Sequence, residues 1–127
     1  MLAVVNSLVL QGIEARTVEV EVDIHSGLPS FDIVGLASQS VREAKERVRS
    51  AIKNAGLKFP LERITVNLAP ADIKKEGSHF DLPIAVGILA ASGQLEGQVP
   101  GNLYLVGELS LEGSVRKVPG VLPMALE

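Results

Sequence analysis

From Leu82 to Ala91 the chain reads LPIAVGILAA, ten residues without a charge. Such a run has no polar face to offer water, as a surface helix does. It also falls far short of the roughly twenty apolar residues that span a bilayer. A helix enclosed by other elements of the same fold is what remains, with Asp81 as its cap and Pro83 tolerated in its first turn. Upstream, Arg63 to Leu68 reads as a strand buried on both sides. Between strand and helix lies a polar loop with two adjacent lysines, Lys74 and Lys75. Loops held between two buried elements are a usual seat of function.

The rest of the chain supplies the other layers. Leu2 to Leu10 reads as a strand, followed by a turn at Gln11-Gly12. From Arg16 to Ile24 the alternation is strict: Val18, Val20, Val22 and Ile24 point one way, and Thr17, Glu19, Glu21 and Asp23 the other. A turn over Ser26-Gly27-Leu28-Pro29 leads to a third strand, Phe31 to Leu36, giving an antiparallel opening meander. Ser40 with Glu43 forms the pattern of a capping box, ahead of Val41, Ala44, Val48, Ala51, Ile52 and Ala55 at helical spacing. Gly56 suits the C′ stop. Leu103 to Leu109 and Ser114 to Val118 form a hairpin across Glu112-Gly113, and a third helix begins near Pro119. The order βββ-α-β-α-ββ predicts an α+β domain over residues 1–127 with its helices largely on one face of the sheet. The ending PGVLPMALE looks like a helix cut short, so a longer protein is expected.

Composition narrows the function classes. Only 3% of the 127 residues are aromatic, against 46% hydrophobic overall, so the core is aliphatic and a base-stacking platform is disfavoured. A net charge of −3 argues that any nucleic-acid contact is local or shared between subunits. There is no cysteine, hence no thiolate chemistry and no disulfide. No signal peptide is evident, and a soluble cytoplasmic protein without membrane contact is the expectation. Neither GxxxxGK[ST] nor GxGxxG occurs, so this chain alone is not a P-loop ATPase.

Several side-chain groups invite a functional reading. Glu19, Glu21 and Asp23 share a strand face, but neighbours two apart lie about 6.5–7 Å from each other, too far to converge on one ion. A solvated face is the better reading, with no metal. One helix carries Arg42, Lys45, Arg47, Arg49 and Lys53 against Glu43 and Glu46. Spacings of three, four and four place Arg42, Lys45, Arg49 and Lys53 along one stripe. That stripe would meet phosphates, a neighbouring subunit or only solvent. Lys74 and Lys75 would clamp a phosphate or line a plain surface loop. His25 and His79 stand alone, forming neither a zinc site nor a triad.

The segments DIVGLASQSVREAKERVRSAIKNAG, RITVNLAPADIKKEGSHFDLPIAVGILAASG and LVGELSLEGSVRKVPGVLP closely resemble the N-terminal domain of the ComM/YifB family of Mg-chelatase-like AAA+ ATPases. They cover most of the chain in the family's order. The resemblance implies the ribosomal protein S5 domain 2-like fold, shared with the Lon protease catalytic domain and a domain of the DNA repair protein RadA. It further implies a following ATPase module that takes ATP and Mg, a homo-oligomeric ring (a hexamer), and work on DNA during uptake and recombination. The Mg-chelatase label implies shared ATPase ancestry only. No cofactor is expected in this part of the protein.

Lon places a serine two residues after the glycine of a K-[DE]-G segment. Aligned on Lys75-Glu76-Gly77, His79 takes that position, and Leu122 takes the position of Lon's lysine. Lacking both partners of a Ser/Lys dyad, the chain is expected to be non-catalytic. The resemblance makes Lys74, Lys75, the helix stripe, Arg116 and Lys117 the DNA-contact candidates. Two alternatives stand beside it: a purely structural or protein-interaction domain, and, remotely, a Lon-like peptidase using Ser78.

Overall fold

The fold is described here from a computed structural model, over residues 1–95 and 99–116. Strands β1 (Leu2–Gln11), β2 (Glu14–His25), β3 (Ser30–Val34) and β4 (Arg63–Ala69) form a four-stranded sheet in the order β1-β2-β4-β3. Helices α1 (Gln39–Arg42), α2 (Ala44–Asn54) and α3 (Asp81–Ala91) accompany it, and β5 (Glu108–Leu109) with β6 (Val115–Arg116) makes a separate short hairpin. This is a mixed α/β arrangement. Lys117, Leu122 and the helix expected near Pro119 lie outside the described residues.

The alternating pattern of β2 places Val18, Val20, Val22 and Ile24 in the core, together with Val5, Val9, Phe31, Ile33, Ile64, Val66 and Leu68. These residues share one sheet face, and each fully buried aliphatic side chain contributes about 1.5–3 kcal/mol. Helix α3 packs on β1 and β2, with α2 beside it. As the charge-free stretch requires, no residue of α3 is exposed. Gly87 lets it approach closely: a Cβ there would sit 2.5 Å from Val22 Cγ2.

Four expectations need correction. The opening is not an antiparallel meander, because β4 inserts between β2 and β3. It pairs antiparallel with β2 and parallel with β3. The chain passes through α1 and α2 between β3 and β4, and such a helical crossover returns the next strand parallel. Nor is β4 buried on both sides: Ile64, Val66 and Leu68 are buried while Thr65, Asn67 and Ala69 are only partly covered, since none of the described helices lies on that face.

The capping box is also absent. Ser38 is the N-cap residue, its carbonyl accepting from the Val41 and Arg42 N–H groups. Ser40 lies inside the first turn, and its hydroxyl accepts the Gly77 N–H at 3.0 Å. Asp81 is likewise no cap; it is the first residue of α3, and its carboxylate turns inward. At the other end of α2 the C′ expectation holds. Gly56 has φ +82°, and the Leu57 N–H reaches back to the Ile52 carbonyl at 3.0 Å.

Candidate functional site

Residues 70–80 connect β4 to α3, and two anchors hold this loop against the crossover. Lys75 pairs with the segment after β3: its N–H donates to the Leu36 carbonyl and its carbonyl accepts the Ser38 N–H, both at 3.0 Å. Ser40 takes the Gly77 N–H. The adjacent lysines therefore part company. Lys74 is exposed, with its amine 3.0 Å from Glu76. Lys75 is wholly buried and donates its amine to the Pro70 carbonyl. Burial pulls the Lys75 amine below the ordinary lysine value, with Asp72 opposing weakly through space.

His79 is also enclosed, its ring tilted at 36° against Phe80 with 4.2 Å between centroids. Its Nε2 lies 2.7 Å from the Leu8 carbonyl. A carbonyl only accepts, so Nε2 carries the proton and Nδ1 is the free acceptor. Burial lowers the pKa of His79, while the Leu8 bond and Asp81 pull it back up. The neutral ring thus ties the loop to β1. Ser78, Gly77 and His79 line one side of an open cleft of about 750 Å³, with Val9, Gln11, Ser38 and Lys74 around it.

Behind the loop sits an ion pair that sequence reasoning missed. Asp81 has no solvent exposure, and Arg47 grips it with Nε to Oδ2 at 2.6 Å and Nη2 to Oδ1 at 3.1 Å. The Leu109 N–H adds a third bond to Oδ2 at 3.0 Å. Every partner is a donor, so the pair is ionised; a carboxyl proton would have no acceptor here. Burial raises the Asp81 pKa, opposed by Arg47 and Leu109, and the bond to Asp81 holds Arg47 above its ordinary value. One signal was available: Arg47 falls off the cationic stripe, on the flank nearest the helix whose only acid is Asp81.

The stripe itself borders β3. Arg42 donates to the Ala37 carbonyl at 3.1 Å, and Arg49 pairs with Glu46 at 3.0 Å while lying over the Phe59 ring. Lys45 is partly covered, and Lys53 is exposed. Arg116, on β6, is 3.6 Å from Glu108 and far out in solvent. On the opposite sheet face, Glu21 accepts from Asn67 at 2.8 Å and Asp23 meets His25 at 2.7 Å. Among the described residues no three acidic or histidine side chains converge as metal ligands would, and no helix is long and apolar enough to cross a membrane.

The relatives agree with the motif reading. A protein-family model described as subunit ChlI of Mg-chelatase matches residues 20–127. Competence protein ComM of Haemophilus influenzae is 52% identical over 125 residues, covering 98% of this chain and 25% of its own. Uncharacterized protein YifB of Escherichia coli K12 is 48% identical over 126 residues, 99% of this chain and 25% of its own. Lon protease of Clostridioides difficile is 25% identical over 127 residues, covering 94% of this chain and 16% of its own. The chain thus spans about a quarter of the length of the ComM and YifB relatives. A family model matched over so much of the chain, with relatives at this identity, means that the chain belongs to the Mg-chelatase-like ComM/YifB family.

Proposed function

We propose that this chain is the non-catalytic N-terminal module of a ComM-like AAA+ ATPase, with the ribosomal protein S5 domain 2-like fold, contributing DNA contact and ring assembly. The observation that carries the non-catalytic reading is His79, at the position where the Lon comparison expects a nucleophile. Its ring is enclosed and its Nε2 proton is engaged by the Leu8 carbonyl. Lys75, the nearest amine in sequence, is buried and spent on the Pro70 carbonyl. Activating a serine needs a base within hydrogen-bond reach of its hydroxyl, and Ser78 makes no side-chain bond to either group.

The DNA reading is supported by where the cations lie. Arg42 and Lys74 border one hollow beside β3, while Arg49 and Lys53 border another. Each is a weak contact alone, and six copies around a ring would multiply them through high effective concentration. ATP and Mg belong in this reading to the module that follows.

Binding of the chain to labelled branched and single-stranded DNA across a salt series tests it. Lys74→Ala and Lys53→Ala are the informative variants, because both side chains are exposed. The expected result is salt-sensitive binding whose log–log slope falls by about 0.7–0.9 per lysine removed. Binding with no salt dependence, or binding that both variants leave unchanged, would overturn the DNA part; no binding by the folded chain at low salt would favour assembly as its role or contacts made only in the full ring. Labelling of Ser78 by a serine-reactive phosphonate would overturn the non-catalytic part.

A further inference from the structure

Strand β3 ends the sheet, and its Ser30 N–H donates to the Glu62 carbonyl at 3.3 Å. Main-chain groups alternate sides along a strand, so Phe31 and Ile33 turn their N–H and C=O groups away from β4. Among the described residues no strand pairs with that outer side. Two separate hollows lie beside this edge, on the side of the helices. At one end is a hollow of about 130 Å³ bordered by Phe31, Phe59, Arg49 and Lys53. At the other is one of about 520 Å³ bordered by Ile33, Leu36, Arg42 and Lys74. Among the described residues, Glu62 is the only carboxylate on either lining.

We propose that the β3 edge is a docking site for an extended acidic segment of a partner protein, which adds as a further strand beside Phe31 and Ile33. Peptide main chain supplies both the acceptors and the donors that these residues present, and a nucleic-acid strand does not. Side chains of the added strand alternate. Those turned toward the helices meet Arg42, Arg49 and Lys53 and are best acidic. Those on the open face meet Asp32 and Val34, and beyond the strand Leu36, where acids gain nothing and small apolar groups fit. A second copy offering its own β3 would set stripe against stripe, so like charge disfavours a symmetric edge pair. The proposal does not rest on the DNA reading; the two ligands would compete for the same cations.

The test uses the 15N-labelled 127-residue chain and a capped seven-residue peptide of alternating glutamate and valine. Two further peptides carry N-methyl groups on one or the other alternating set of amides. The expected result is that the parent peptide shifts the Phe31 and Ile33 amide signals, and that one of the two methylated peptides binds at least ten-fold more weakly. Lys53→Glu, checked as folded by its amide spectrum, should also weaken binding several-fold. Equal binding of all three peptides would reduce the contact to charge attraction and overturn the proposal. So would peptide-induced shifts confined to other strands, or a failure of the peptide to bind where oligothymidine shifts these two amides.

Discussion

Arg47 and Asp81 show what one enclosed charge demands of its neighbours. With Asp81 removed from water, its two oxygens are held by three donors, from α2 and from the end of β5. Truncating one partner of such a pair strands the other, at a cost of about 3–5 kcal/mol. Arg47→Ala should therefore lower the urea midpoint strongly. Arg47→Lys should recover only part of it, since one ammonium cannot make the bidentate grip. A drop under 1 kcal/mol for Arg47→Ala would mean that water reaches Asp81. His79 sets a separate pH dependence. Its folded pKa lies below the ordinary 6.5, so on acidification the unfolded chain takes up the proton first. Stability is unaffected by this group above that value and falls as pH drops from it toward the folded pKa. Urea midpoints between pH 7 and 5 should decline, and His79→Gln, which retains a donor for the Leu8 carbonyl, should flatten the decline.

At the scale of elements, patterns read within one segment translate directly, and pairings between segments do not. The valine alternation of β2 and the charge-free run of α3 specify their own burial, and the structure places them so. Which strand lies beside which depends on the crossover, so the neighbour of β3 was not legible in Phe31 to Leu36. Ser40 failed as a cap for a similar reason: its hydroxyl serves Gly77, 37 residues away in the chain. The loop was legible as a polar connection between β4 and α3, but the division of labour between Lys74 and Lys75 was not, because identical neighbours differ only in which way the backbone turns them. Gly35 marks the turn that follows β3. Its φ is +104°, and a Cβ would sit 2.3 Å from the Leu68 carbonyl oxygen. Gly35→Ala should cost more than about 2 kcal/mol, from strain and a displaced β4. Calorimetry showing an unchanged Tm would mean that β3 and β4 separate freely at this end.

Across the whole molecule, charge is segregated. Net charge is −3, yet Arg42, Arg49, Lys53 and Lys74 gather beside β3 on the helix side. Glu19, Glu21 and Asp23 occupy the face of β2 that none of the described helices covers. An acidic protein therefore presents one basic margin, and a polyanion has one favourable direction of approach. Carboxylates on the far side of the core act on it only through long-range repulsion, which salt suppresses beyond a Debye length of about 8 Å at physiological ionic strength. Glu19→Gln with Asp23→Asn should accordingly change DNA affinity less than two-fold at 0.15 M salt, and raise it visibly only near 0.01 M. Lys53→Ala, on the margin itself, should weaken binding at both salt concentrations. If the two sets of variants moved affinity equally at 0.15 M, bound DNA would sense net charge and not position. The basic margin would then be an incidental feature of α2 and not a surface that orients a ligand.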